Sequence, residues 1–260
     1  MKKLLTIQTY LPILFGIGST VLLLGAWWSV SILTNNEIPT PLMTWAVFSE
    51  MLSTPFFDNG PNDKGIGNQL VSSLIRVFSG FGAGSIVAIP LGLLIGSSKT
   101  AFRLINPIVQ ILRPVSPLAW FPLGLLAFKA AEGATIFIIF VTSVWPTLIN
   151  TAFGVASIPQ DHKNVAKAYG FSKWKYITKV IIPFALPHII TGLRLSIGVA
   201  WMVIVAGEML SGGVGIGFFV WDSWNALSLE KILSAILIIG TVGLLLDKGF
   251  DWLQKRFAFA

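Results

Sequence analysis

Six long stretches with almost no charged residue constrain this chain more than any other feature of its sequence. They lie within residues 4–36 and at approximately 75–97, 105–128, 134–155, 187–209 and 230–248. A bilayer core about 30 Å thick is crossed by roughly 20 apolar residues in a helix, so each stretch is long enough to span it. A membrane strand would alternate apolar and polar residues over roughly 10 positions, and these stretches do not. The sequence therefore predicts an all-α integral membrane protein with six transmembrane helices.

The composition excludes several other classes of protein. Hydrophobic residues make up 54% of the 260 residues and charged residues 11%, at a mean hydropathy of +0.79, which is unlike a soluble domain. The net charge of +7 comes almost entirely from residues outside the apolar stretches, so it does not require a nucleic-acid partner. The absence of cysteine excludes disulfides, thiol nucleophiles and cysteine-ligated metals.

The basic residues between the spans predict the orientation of the chain, because cytoplasmic loops of membrane proteins carry an excess of lysine and arginine. Only Lys64, Lys129 and Lys231 fall opposite the N-terminal side. The N-terminal side holds Lys2, Lys3, Lys99, Arg103, Lys163, Lys167, Lys173, Lys175, Lys179, Lys248, Lys255 and Arg256. We therefore expect both termini in the cytoplasm.

Two parts of the chain are expected from this pattern. Residues 1–68 would form the first transmembrane helix and an outer loop, with a short interfacial helix over Leu42–Leu52. Residues 69–260 would form a core of five helices, interrupted by a long inner loop at 156–187.

The inner loop is polar and basic at first and then apolar, which is typical of a helix, a turn and a second helix. Asn164–Tyr169 suits a short helix that Gly170 can end in the left-handed conformation. Ser172 can cap a second helix, expected to run to Pro183. From composition alone this element is either a docking element or an amphipathic helix that binds anionic membrane lipid.

The residues of this loop resemble the cytoplasmic signature of ABC-importer permeases. Asn164 stands where the family usually has glutamate, and the residues that follow the signature are Ala166, Gly170, Val180, Ile182 and Pro183. In that family the segment is a coupling helix that sits in a groove of the ATPase subunit. The resemblance thus implies that Asn164, Ala166, Gly170 and Pro183 couple this chain to an ATPase.

The resemblance extends from about residue 70 to the C-terminus. LRPVSPLAWFPLGLLAF (112–128) and GLRLSIGVAWMVIVAGEML (192–210) look like permeases of the nitrate, sulfonate and taurine importer group. Residues 154–161 and 212–225 are most similar to the nitrate and bicarbonate branch. The resemblance implies a type I permease core in a bacterial inner membrane, with two permease copies as the pore. Two partner ATPase subunits would bind ATP and Mg, and an external protein or domain would deliver the anion. Nitrate is the expected anion, with nitrite, bicarbonate and cyanate as the alternatives.

Ionisable residues inside spans are costly and usually face a cavity or a partner. Arg113 precedes Pro114, where further prolines indicate a break in the third span, and Arg194 lies in the fifth span. We expect both arginines to line an anion pathway. Trp201 and Glu208 share a helix face with Arg194 and would shape its outer gate, although Glu208 could instead be a structural hydrogen-bond partner.

Arg76 is a further candidate for the pathway, near the outer start of the second span, and it could equally be structural with its side chain reaching the interface. No convincing catalytic or metal site is expected. Ser228 and Lys231 have the spacing of a serine–lysine pair without any accompanying motif, and His162 and His188 lack acidic co-ligands. The segment Gly213–Gly217 lacks the lysine of a phosphate-binding loop. The alternative function from another class is an ion-coupled secondary anion transporter or a channel.

Overall fold

A computed structural model describes residues 2–61 and 63–257, with side chains from residue 14 onward; residues 258–260 of the predicted core lie outside this range. The described residues form helices joined by short turns, and their one β-bridge pairs Asp58 with Lys64. The helices are α1 (Lys2–Leu33), α2 (Pro41–Ser53), α3 (Ile66–Ser97), α4 (Lys99–Leu112), α5 (Phe121–Phe128), α6 (Ala131–Ala156), α7 (Gln160–Ala168), α8 (Lys173–Tyr176), α9 (Ile182–Ser211), α10 (Ile216–Asn225) and α11 (Leu229–Phe257). The prediction of an all-helical fold is confirmed.

The predicted spans correspond to five long helices and one bent pair. The five are 14–33, 66–97, 131–156, 173–211 and 229–257, each long and apolar enough to cross a membrane. The third predicted span is α4 followed by a 3₁₀ turn (Pro117–Trp120) and α5, with a bend of 93° between the two parts. The predicted break therefore exists, and the chain is a multi-pass membrane protein.

Helix α6 lies at the centre of the bundle, between α3 and α9. Two pairs of glycines on α3, Gly80 with Gly84 and Gly92 with Gly96, allow the close approach. A Cβ at Gly80 would lie 2.7 Å from Ile139, and one at Gly92 would lie 2.6 Å from Thr151. Small residues of this kind let helix backbones meet in a membrane, where apolar burial gives no advantage over lipid.

Buried hydroxyl groups join α6 to α9. The Oγ atoms of Thr147 and Ser196 lie 2.7 Å apart, and Ser196 donates to the carbonyl of Ser143 at 2.7 Å. Both side chains are fully buried, so these bonds form without competition from water. They fix α9, which carries two of the charged candidates, to the central helix.

The N-terminal part is attached to the bundle more loosely. The described part of α1 packs on α2 and the turn between them, where Trp27 donates to the carbonyl of Pro39 at 3.0 Å. Helix α2 confirms the short helix expected over Leu42–Leu52, and its Thr44 carbonyl accepts from Ser234 of α11 at 3.2 Å. The division expected between residues 68 and 69 falls in the first turn of α3, and it stays a prediction.

The loop before α3 is held by an exposed ion pair. Lys64 Nζ lies 2.6 Å from an Asp58 carboxylate oxygen, and this hydrogen bond lowers the pKa of the Asp58 carboxyl. The carbonyl of Pro55 accepts from the amide of Gly67 at 2.7 Å, which seats the loop on the first turn of α3.

Candidate functional site

The break between α4 and α5 opens a cleft in the side of the bundle. Pro114 and Pro117 have no amide hydrogen to continue the α4 ladder, so the helix ends at Leu112 and a new one starts at Pro117. Arg113, the residue that caps α4, is exposed at this break. The positively charged side chain of Arg113 therefore lies where the regular hydrogen bonding of α4 ends.

The cleft has a volume of about 290 Å³ and is bounded by α6 and α9 as well as by the break. Trp120 and Trp145 contribute aromatic walls, and Thr142 and Ser116 contribute hydroxyl groups. Within residues 2–61 and 63–257, no carboxylate lies within 4.0 Å of the Arg113 guanidinium. Its positive charge is therefore uncompensated beside an open cavity.

Arg76, by contrast, is tied to a buried carboxylate. Its Nη1 donates to Glu208 Oε1 at 2.8 Å and to the carbonyl of Val214 at 2.6 Å, and its Nε lies 3.7 Å from Glu132. Glu208 is fully buried, and the Oγ of Ser73 lies 2.8 Å from both of its oxygens. This cluster joins α3 to α9. A structural role was the alternative that the sequence left open for both Arg76 and Glu208, and these contacts favour it.

The glycine-rich segment after α9 folds over this cluster. Gly215 donates its amide to Gln69 Oε1 at 2.6 Å, and Gly217 donates to Glu208 Oε2 at 2.9 Å. A Cβ at Gly215 would collide with the Glu208 carboxylate, and one at Gly217 would collide with the carbonyl of Val205. The glycines thus allow the backbone to approach a buried charge, and they lead into α10, a helix that the sequence did not predict.

Arg194 is also paired, with the last turns of α11. Its Nε and Nη2 donate to the two oxygens of Asp247 at 2.7 and 2.8 Å, and its Nη1 donates to Asp251 at 2.8 Å. This pairing of Arg194 was not predicted, because both aspartates lie more than fifty positions further along the chain. The predicted role of Arg194 in an anion pathway stays a prediction, and its contacts favour a role in joining α9 to α11.

Trp201 packs into the same contact between α9 and α11. The side chain is 4% exposed, and its Nε1 donates to the carbonyl of Ile239 at 2.9 Å. A Cβ at Gly243 would lie 3.1 Å from the indole ring, so glycine makes room for it. The structure therefore separates the predicted pathway residues: Arg113 lines the cleft, whereas Arg76, Glu208, Arg194 and Trp201 lie at helix contacts.

The basic inner loop forms the expected helix, turn and helix. Gly170 has φ +61°, and its amide and that of Phe171 donate to the carbonyls of Lys167 and Ala166, both at 3.0 Å. This is the pattern of bonds that ends a helix at a left-handed glycine. Ser172 caps α8 by accepting from the amide of Lys175, as predicted.

Both helix boundaries in this loop differ from those expected. Helix α7 begins at Gln160 instead of Asn164, since Asp161 in its first turn favours a helix start. The second helix does not end at Pro183. It passes through a π turn (Ile177–Ile181) into α9, because the amide of Ile182 bonds to the carbonyl of Ile177 and the wider turn accommodates the proline that follows.

The turn around Gly170 borders a groove of about 340 Å³. Asn164 is exposed in it and accepts from Gln160 at 3.2 Å, whereas Ala166 is buried beneath it. Its remaining walls are Lys163, Lys167, Phe171, Lys173 and Tyr176. Pro183 is exposed in the first turn of α9, after α8 and the π turn.

Across the described ranges no three histidine, cysteine or acidic side chains converge as a metal site would require.

Solved structures with this fold are membrane subunits of transporters. The chain superposes on the inward-facing MetNI methionine ABC transporter with a TM-score of 0.64, at 16% identity, covering 74% of this chain and 95% of that one. An amino acid ABC transporter solved with histidines gives a TM-score of 0.61 at 15% identity, covering 84% and 100%. The fold is that of a type I ABC-importer permease.

The family follows from the sequence comparisons. The profile of the inner membrane component of binding-protein-dependent transport systems matches residues 88–259, and the chain belongs to that family. It is 45% identical over 233 residues to the nitrate import permease NrtB of Synechocystis sp., covering 90% of this chain and 85% of that one. It is 47% identical over 218 residues to the bicarbonate permease CmpB of Synechococcus elongatus, covering 84% and 78%. The taurine permease TauC of Escherichia coli is 32% identical over 243 residues, covering 92% and 87%.

Membership implies that the chain works with ATPase and substrate-binding partners. The signature at Ala166 and Gly170 and the arrangement of the spans thus led to the right family. The sequence missed Ser73, Gln69, Asp247 and Asp251, which hold the charged side chains in place. Asp247 and Asp251 could have been noticed because they lie one helical turn apart on the final apolar helix.

Proposed function

We propose that two copies of this chain form the pore of an ATP-driven importer of a small inorganic anion, with nitrate as the first candidate. The observation that carries the proposal is the unpaired Arg113 at the broken helix, which faces a cleft of about 290 Å³. The name of the 45% identical relative supports nitrate, and that of the 47% identical relative supports bicarbonate as the second candidate. Nitrite and cyanate are also small anions with a single negative charge.

Arg113 is suited to attract an anion because no carboxylate of the described residues neutralises its charge. A unit charge at about 4 Å is attracted by roughly 4 kcal/mol at an effective dielectric constant near 20, which offsets part of the cost of dehydrating the anion. Arg76 and Arg194 are neutralised by carboxylates at 2.8 and 2.7 Å, so they add little to this attraction. In a pair of permeases, the two Arg113 side chains would supply the positive potential of the pathway.

The cleft is suited to passage and not to tight binding. Its walls include the half-buried Trp120 and Trp145, and only Ser116 and Thr142 among its lining residues offer side-chain hydroxyl groups. Thr142 already donates to the carbonyl of Ile138 at 2.7 Å. An anion would therefore find one strong charge and few hydrogen bonds, which allows it to leave again.

The turn at Gly170 is the proposed contact with the ATPase subunits. It lies in the predicted cytoplasmic loop, presents three lysines around its groove, and is followed by one helical segment from Lys173 to Ser211. That segment passes the cleft, since Val199 of α9 forms part of its wall. A displacement of the turn can thus be passed along one helix to the cleft. Two ATPase subunits, with bound ATP and Mg, would supply the energy, and this chain would perform no bond chemistry.

The alternative of an ion-coupled secondary transporter or a channel predicts transport without ATP. Such a protein needs a coupling carboxylate that can change its protonation near the middle of the membrane. Glu208 is buried and bonded to Arg76, Ser73 and the amide of Gly217, which favours a fixed structural role. Membership of a family of binding-protein-dependent systems also favours the ATP-driven function.

The test is uptake into proteoliposomes that contain the permease with its ATPase partners and the external binding protein. Labelled nitrate and labelled bicarbonate should be compared with and without ATP. Arg113→Gln should lower anion uptake by about tenfold or more while the complex assembles normally, because one lost charge interaction of 1.4 kcal/mol corresponds to a factor of about ten. Arg113→Lys should retain more uptake than Arg113→Gln.

A matched control is available on the same helix. Arg103 is exposed near the start of α4, away from the break, and Arg103→Gln should leave uptake unchanged. Wild-type uptake by the Arg113→Gln complex would remove Arg113 from the pathway. Uptake that proceeds equally without ATP would favour the secondary transporter or channel.

A further inference from the structure

The inner half of α9 is joined to the end of α11 by a group of polar side chains that the proposed pathway does not use. Arg194 binds both oxygens of Asp247 with two donors and binds Asp251 with a third, all at 2.7–2.8 Å. Close to this pairing, Gln254 donates to Thr191 at 3.0 Å. We call these five residues the α9–α11 clasp.

Together with Lys255, the clasp is balanced in charge. Lys255 lies 2.6 Å from the Asp251 oxygen that Arg194 does not bind, so two cations face two carboxylates. The region around Arg194 therefore has no net positive charge to offer an anion. Arg194 and Asp251 are about one third exposed, so the clasp adds modestly to stability. A guanidinium bound at both ends of a carboxylate is nevertheless fixed in orientation.

The position of the clasp relates it to the turn at Gly170. Helix α9 continues without interruption from the helix that starts at Lys173, so Arg194 is separated from the turn by about 30 Å of one helical segment. Helix α11 has no direct chain connection to that turn. Without the clasp, the hydrogen bond that still joins α9 to α11 among the described residues is that of Trp201 to Ile239, about three turns before Asp251, so a movement of the turn would reach the end of α11 less directly.

We propose that Arg194 is a positioning residue for energy coupling, which makes the end of α11 move together with α9 when the turn at Gly170 moves. The inference rests on the proposed function, in which that turn contacts the ATPase. Loss of the clasp then separates ATP hydrolysis from transport without changing the anion pathway. If Arg194 instead attracted the anion, transport would need its positive charge, and joining α9 to α11 by other means would not restore transport.

The experiment distinguishes a role of Arg194 in linking α9 to α11 from a role of its positive charge in attracting the anion. Arg194→Gln in the complete complex should lower the number of anions imported per ATP by about fivefold or more, the lower end of coupling between distant sites, while basal ATP hydrolysis persists. Cysteines introduced at Thr191 and Gln254, in a chain that has none of its own, allow α9 and α11 to be joined by a short bifunctional thiol reagent. In the variant that combines Arg194→Gln with the two cysteines, cross-linking should restore most of the lost number of anions imported per ATP.

The control is Arg256→Gln, which changes an exposed arginine on α11 outside the clasp and should leave the ratio unchanged. An unchanged ratio in Arg194→Gln, or a reduced ratio that cross-linking does not restore, would overturn the proposal. If the wild-type complex imports neither nitrate nor bicarbonate, the proposed function fails by itself. The clasp is then tested by a cysteine at the exposed Trp252: its labelling should change with nucleotide in the wild type and remain constant in Arg194→Gln.

Discussion

Glu208 Oε1 and Arg76 Nη1 lie 2.8 Å apart and join α9 to α3 at the end of the bundle where the glycine-rich segment folds. Arg194, about 20 Å away along the same helix, is joined to α11. Helix α9 is therefore fastened to a different neighbour at each of these two points. The first contact is buried and the second is partly exposed, so they are expected to contribute to stability by very different amounts.

Removing the buried carboxylate should destabilise the protein. Glu208→Gln leaves Arg76 without its principal counter-charge in a buried position, which costs about 3 kcal/mol or more. We expect a lower free energy of unfolding in detergent titrations and a lower thermal midpoint. Glu132→Gln removes the distant and 68% exposed partner of Arg76, and it should cost less than about 1 kcal/mol. Equal stability of these two variants would contradict the account of this cluster.

The close contact between α3 and α6 predicts a difference between two neighbouring glycines. Gly80→Ala places a methyl group within 2.8 Å of Ile139 and of the carbonyl of Ile136, and it should cost about 1 to 3 kcal/mol. Gly82→Ala meets no atom within 4 Å and should be neutral or slightly stabilising. Thermal unfolding of the two purified variants measures the difference. A stable Gly80→Ala variant would mean that α3 and α6 do not pack as described.

The backbone at Gly170 predicts which substitutions the coupling turn accepts. With φ at +61°, a β-branched residue is strained by more than the roughly 1 to 2 kcal/mol typical of the left-handed region, whereas asparagine tolerates it. Gly170→Val should therefore lose the ATPase partner or the transport that accompanies hydrolysis, and Gly170→Asn should retain most of both. Co-purification and the number of anions moved per ATP are the measurements. Normal values for Gly170→Val would make the turn a membrane-surface element.

The orientation of the chain can be tested with single cysteines. Residues introduced in place of Lys99, Lys173 and Lys255 should react only with reagent supplied from the cytoplasm, because the excess of basic residues marks that side. Those in place of Asp58 and Asp222 should react from outside. Labelling of position 173 from outside would place the turn at Gly170 away from any ATPase.

Local signals in the sequence predicted local structure. Gly170 and Ser172 fixed the turn between α7 and α8, and Pro114 and Pro117 fixed the break beside Arg113, since each acts on its own backbone. The continuation of the helix through Pro183 was missed. A π turn absorbs the effect of that proline, and no residue type specifies such a turn.

Partners of charged side chains could not be predicted in the same way. Arg76 and Glu208 are 132 positions apart in the chain, and their pairing depends on how α3 and α9 pack. The helical period correctly placed Arg194, Trp201 and Glu208 toward one side of α9. It could not reveal that α11 covers part of that side and α3 another part, so that all three side chains contact neighbouring helices. Their role in the pathway stays a prediction.

The loose attachment of α1 has a consequence for the response of the protein to its lipid environment. Only 6% of the apolar window Leu14–Leu33 is buried, whereas 44% of the windows in α6 and in the segment containing α9 is buried. A helix that touches few neighbours meets hydrophobic mismatch by tilting, at a cost of fractions of a kcal/mol per Å. Changes in bilayer thickness should therefore be absorbed by the tilt of α1, while the helices around the cleft keep their mutual angles.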